Sequence, residues 1–96
     1  VNSCLVAVAQ AYDRTVTTVE GLGCAERLSP LQECFVTEGG AQCGICTPGM
    51  LVSAHALLER NSDPSEDDIR EAIAGNLCRC TGYTPIVNAI KKAASV

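Results

Sequence analysis

Tryptophan is absent, and Tyr12, Phe35 and Tyr83 are the only aromatic side chains in 96 residues. A core must therefore be built from Ala, Val, Leu and Ile, which a hydrophobic share of 47% can supply. Positive charge is also scarce. Seven Lys and Arg against eleven Asp and Glu leave a net charge of −4, the wrong sign for a protein that grips a phosphate backbone, so nucleic acid is not an expected partner. The longest unbroken apolar run, Cys4 to Ala9, falls far below the ~20 residues needed to cross a bilayer, and no basic-then-apolar leader opens the chain. No membrane span is expected. The length suits one domain, or one domain with a fragment of another, and excludes the sheet and second lobe of a self-contained nucleotide enzyme. The single methionine is Met50 and the chain starts at Val1, so it is expected to be a piece of something longer.

Cysteine, by contrast, is abundant. Seven is an odd number for a disulfide framework, and Cys43 with Cys46 and Cys78 with Cys80 form two tight pairs. That pattern is more typical of metal binding than of secreted staples. A reducing, cytoplasmic setting follows as the expectation.

The first twenty residues alternate loosely between apolar and polar: Leu5, Val6 and Val8, a polar turn at Tyr12-Asp13-Arg14, then Val16 and Val19. They predict two short strands. A lone hairpin is marginal in water, so the pair is expected to belong to a larger sheet, with residues 1–22 the tail of a separate domain and 23–96 a second, helical one. From Leu28 the period becomes helical. Ser29-Pro30 with Gln32 reads as a capping box, followed by Leu28, Leu31 and Phe35 on one face until Gly39-Gly40. Thr47-Pro48 opens a second helix reaching Arg60, with Met50, Leu51, Ala54, Leu57 and Leu58 inward. Ser65 caps a third from Glu66 to Leu77, whose acidic first turn suits the positive end of the helix dipole and whose stripe is Ile69, Ala72, Ile73 and Leu77. Thr84-Pro85 begins the fourth, with Ile86, Val87, Ile90, Ala93 and Ala94 inward.

Helices two and three so bounded are ~20 Å and ~18 Å long, and a short Asn61–Pro64 turn should fold them antiparallel. Cys78 then returns to Cys46, and four thiols meet at one end of the bundle. Cys-Gly-Ile-Cys-Thr-Pro and Cys-Arg-Cys-Thr-Gly-Tyr-Thr-Pro each lead into a new helix, whose positive end and free N–H groups suit an anionic guest. Gly44, Gly49 and Gly82 leave room for close backbone approach. Four cysteines suit tetrahedral zinc, a [2Fe–2S] cluster or a [4Fe–4S] cluster. A Cys-Arg-Cys pair and a gap of 31 residues (47–77) depart from common zinc spacings and favour a cluster, with zinc still open. A Rieske centre needs two histidines, and the chain has only His55, ~13 Å along the helix from Cys46 and expected to be a partly buried bundle residue.

Gln42-Cys43-Gly44-Ile45-Cys46-Thr47-Pro48-Gly49-Met50 and Gly75-Asn76-Leu77-Cys78-Arg79-Cys80-Thr81-Gly82-Tyr83 resemble the paired signature of the [2Fe–2S]-binding helical domain in the xanthine dehydrogenase and molybdenum hydroxylase family. The resemblance is closest to the small iron–sulfur subunits of carbon monoxide dehydrogenase, 4-hydroxybenzoyl-CoA reductase and aldehyde or nicotinate dehydrogenase types. It implies a mainly α fold: a four-helix [2Fe–2S]-binding bundle preceded by the last strands of a truncated β-grasp ferredoxin domain. It implies Cys43, Cys46, Cys78 and Cys80 as cluster ligands and Gln42 beside a molybdopterin. Cys80 would lie near that pterin too. Cys4 matches the fourth ligand of a second cluster, whose other three ligands are absent here, and Cys24 and Cys34 match no ligand and are expected to be structural thiols. The implied role is an electron relay with no substrate site of its own, taking electrons from a large molybdopterin subunit toward a flavin (FAD) subunit.

Overall fold

Ser29 and Gln32 answer each other across the first turn of a helix: the Ser29 N–H donates to Gln32 Oε1 at 2.8 Å, and the Gln32 N–H donates to Ser29 Oγ at 3.3 Å. This reciprocal cap starts α1, Pro30–Thr37. The computed structural model describes residues 1–96 and contains three further helices: α2 over Thr47–Arg60, α3 over Glu66–Ile73 and α4 over Thr84–Ala94. Prolines at the first or second position of α1, α2 and α4 fit the sites where a missing N–H has no intrahelical use. Ser65 and Asp68 form a second reciprocal cap on α3, with bonds of 2.9 and 3.1 Å.

The apolar faces meet in one core. Phe35 of α1, Met50 and Ala54 of α2, Ile69 of α3 and Ile86 and Ile90 of α4 are all buried, and each large side chain removed from water contributes about 1.5–3 kcal/mol. The first helix packs mainly against the last, and α3 bridges α2 and α4. Cys34 is buried in this core, as a structural thiol should be; Cys24 is exposed, in an isolated bridge with Arg27. His55 is half-buried on α2 and faces Glu59 at 3.4 Å.

Three expectations need correction. Residues 1–22 form no strands; the segment winds through short 3-10 turns at Ser3–Leu5, Val8–Ala11 and Val19–Gly21. Nearly every side chain there is exposed, and without further strands to cover its apolar face a hairpin has little to hold it. Second, α3 stops at Ile73, and Leu77 is 85% exposed rather than part of the inward stripe. The amide of Asn76 turns back to the Ile73 carbonyl, and its side chain leaves the helix to donate to Ser53 Oγ on α2 at 2.9 Å. The two rods are therefore unequal, 14 residues against 8, and the nonhelical stretch 74–83 makes up the return. Third, Leu28 lies outside α1 and is 38% exposed.

Candidate metal centre

Both cysteine loops enter a helix, and the chain bends sharply in each. Gly44 at φ +87° turns the first loop, so that Cys46 caps α2; Gly82 at +67° and Tyr83 at +72° turn the second, and Tyr83 caps α4. Positive φ is free for glycine and strained for tyrosine.

The loops face each other thiol to thiol. Cys43 lies against Cys80 and Cys46 against Cys78, each pair close enough to alter its own ionisation. The Ile45 amide, and then Cys80, hold the Cys43 thiol below its ordinary range, while the proton shared with Cys43 pushes Cys80 up. Burial, followed by the Cys78 side chain, raises Cys46. Cys78 is drawn down to about 7 by the Thr81 hydroxyl and then by the amides of Thr81 and Cys80, all directed at its sulfur. Such donors are what a sulfur carrying negative charge requires.

The second loop is braced from within. Thr81 Oγ1 sits 3.1 Å from Cys78 Sγ and accepts the Tyr83 N–H at 3.1 Å; Tyr83 Oη accepts the Cys78 N–H at 3.0 Å. In the first loop the corresponding hydroxyl, Thr47 Oγ1, is buried and has no partner. A bond to Ser53 ties the second loop to α2, and Asn76 Oδ1 lies where any Cβ on Gly49 would collide with it.

No three His, Cys, Asp or Glu side chains converge as a single ion would need. Two cross-loop pairs of thiols would instead hold an object larger than one ion. The starts of α2 and α4 add two positive helix ends, and the orphaned Thr47 hydroxyl adds an unused polar atom beside Cys46. The donor set fits a [2Fe–2S] cluster. Gln42, next to Cys43, is exposed, as are Ile45 and Leu77 beside the thiols. Cys4 is exposed in the first 3-10 turn. The Asn76–Ser53 tie and the Tyr83 brace escaped sequence reasoning. Of the glycines singled out, Gly44, Gly49 and Gly82, Gly49 lies at the Asn76 contact and Gly82 directly precedes Tyr83.

The profile of the [2Fe-2S] binding domain family matches residues 18–91. Aldehyde oxidase 1 of Oryctolagus cuniculus is 50% identical over 92 residues, which is 95% of this chain and 7% of that protein. The nicotinate dehydrogenase small FeS subunit of Eubacterium barkeri is 46% identical over 93 residues, covering 97% of this chain and 59% of the relative. The solved aldehyde oxidoreductase from Desulfovibrio gigas superposes with a TM-score of 0.94 at 47% identity, over 99% of this chain and 11% of that one. The chain thus spans less than two thirds of each of these relatives. A shared profile, a shared backbone and the paired thiols agree: the chain belongs to the [2Fe-2S] binding domain family, in the branch found in molybdenum hydroxylases.

Proposed function

We propose that this chain is an electron-transfer module of a molybdenum-containing oxidoreductase, holding a [2Fe–2S] cluster on Cys43, Cys46, Cys78 and Cys80. The observation that carries the proposal is the cross-loop pairing of Cys43 with Cys80 and of Cys46 with Cys78 at one end of the bundle. When bound, the cluster supplies a one-electron site whose potential is set by hydrogen bonds and surrounding charge. The chain's own residues fix the spacing of the thiols and aim the amides of Thr81 and Cys80 at Cys78.

The direction of flow is proposed by analogy with the relatives. Their names include aldehyde oxidase, aldehyde oxidoreductase and a nicotinate dehydrogenase small FeS subunit. By analogy, electrons leave a molybdopterin on a large subunit or domain, with Gln42 and Cys80 facing it, and continue toward flavin on another. The exposed Gln42 and Cys80, flanked by exposed Ile45, support that face as the one turned to the pterin. Residues 1–22 are proposed as the end of a preceding ferredoxin-type domain, their apolar Leu5, Val8 and Val16 left exposed where that domain's strands would cover them.

Iron, zinc and acid-labile sulfide analysis of the purified protein tests the core of this. Two irons and two sulfides per chain are expected, and Cys78→Ser or Cys80→Ser should abolish the visible absorption. One zinc without sulfide, or full colour and iron in those variants, would refute the ligand assignment.

A further inference from the structure

Tyr83 stands at φ +72°, where a side chain is penalised and glycine is not, immediately after Gly82, which already turns the chain. A bulky residue kept in such a position needs a compensating contact. The one the structure offers is long in reach: Tyr83 Oη accepts the Cys78 N–H at 3.0 Å, while the Tyr83 N–H donates to Thr81 Oγ1 at 3.1 Å, and Thr81 Oγ1 lies 3.1 Å from Cys78 Sγ. The three contacts link Cys78, Thr81 and Tyr83 in one closed network. The phenol is partly buried against the core, so the oxygen is held from a fixed base. Neither helix capping nor core packing requires that oxygen, because Tyr83 gives α4 no side-chain cap bond and a phenylalanine would fill the same space.

We propose that Tyr83 is a positioning residue of the redox centre: it clamps the Cys78–Cys80 loop at ligand spacing and withdraws the Cys78 amide from the donors available to bound sulfur. The proposal rests on the reading of the four cysteines as cluster ligands. Thr81 and Cys80 amides remain directed at the Cys78 sulfur, so the clamp selects which N–H groups the centre meets. With the phenol oxygen gone, the Cys78 N–H is free to turn toward sulfur, and an added donor favours the more negative, reduced form.

Tyr83→Phe and Tyr83→Leu in the full chain test this with two readouts. Amide hydrogen exchange at Cys78 in the metal-free protein should quicken about tenfold in both variants, as expected for one lost hydrogen bond. In the loaded protein the midpoint potential should shift upward with iron content unchanged. Wild-type exchange and potential in Tyr83→Phe would overturn the proposal, even if Tyr83→Leu disturbed both, since only the packing of the ring would then matter. Loss of iron in Tyr83→Phe with Cys78 exchange unchanged would overturn it as well. A wild-type protein without iron or sulfide would instead sink the ligand reading, while the exchange measurement still judges the clamp.

Discussion

The two ends of the bundle are built by opposite rules. At the α2–α3 hinge, Asn61, Ser65 and Asp68 answer one another: Asn61 Nδ2 reaches Asp68 Oδ2 at 3.5 Å, Asn61 Oδ1 accepts the Asp63 N–H at 3.1 Å, and the Ser65–Asp68 box closes the cap. Glu66 there also pairs with Arg70 at 3.0 Å and Lys91 at 3.3 Å. At the cysteine end the chain carries positive φ at Gly44, Gly82 and Tyr83, a partnerless Thr47 hydroxyl, and exposed Ile45 and Leu77. Satisfied side-chain bonds and ion pairs close the hinge end. Strain, unused polarity and two bare apolar side chains stand beside the thiols, where a guest is expected.

That contrast makes the ends separable by mutation. The largest effect is expected from Gly49→Ala. Alanine would favour the helix by up to about 1 kcal/mol, but its Cβ collides with Asn76 Oδ1, and forcing that contact costs about 1–3 kcal/mol, so net destabilisation with lowered iron retention should appear in denaturation and iron assays. Placed in an Asn76→Ala background, the same change should become neutral or stabilising. A loss of stability that persists there would mean that the two loops are not in register through Asn76.

Ser65→Ala should cost about 1 kcal/mol by removing the cap on α3, yet leave the absorption spectrum of the loaded protein unchanged. A changed spectrum would show that the hinge and the cysteine end are coupled, and would break the comparison. The smallest effect concerns acid. The Ser65 amide and hydroxyl hold Asp68 below its ordinary value of 3.8, so its stabilising contribution is complete above that value and is lost as pH falls through the lower folded one. The stability gap between the natural protein and Asp68→Asn should therefore narrow in acid below pH 3.8, read from unfolding curves at stepped pH. A gap that widens in acid would reverse the assignment.

Local signals with a mechanism could be read directly from the chain. Ser29 with Gln32, Ser65 before an acidic turn and the Thr-Pro starts each state a cap or a first turn in two or three residues, and all four helices begin where those signals stand. The cysteine pairs were legible for the same reason: ligand chemistry is written in residue type and spacing. What was illegible depends on contacts distant in sequence. Leu77 keeps a helical period but lies beyond a helix that ends at Ile73, where Gly75 follows the C-cap and Asn76 is tied to Ser53, and no local pattern announces that tie. The strands expected around Val6 and Val16 obey a period of two, but a strand forms only where another lies beside it, and none does here. Tyr83 was invisible because neither its left-handed backbone nor its bond to the Cys78 amide has a signature in residue type or spacing.

One consequence follows from the packing of the first helix against the last, joined across their ends by Lys92 and Glu38 at 2.7 Å. A growing polypeptide has already displayed Cys43, Cys46, Cys78 and Cys80 before α4, which packs against the helix bearing Phe35, leaves the ribosome. The sulfurs are synthesised ahead of the frame that spaces them, and a C-terminal truncation should leave a chain rich in reactive cysteine with no fixed geometry in which to use it.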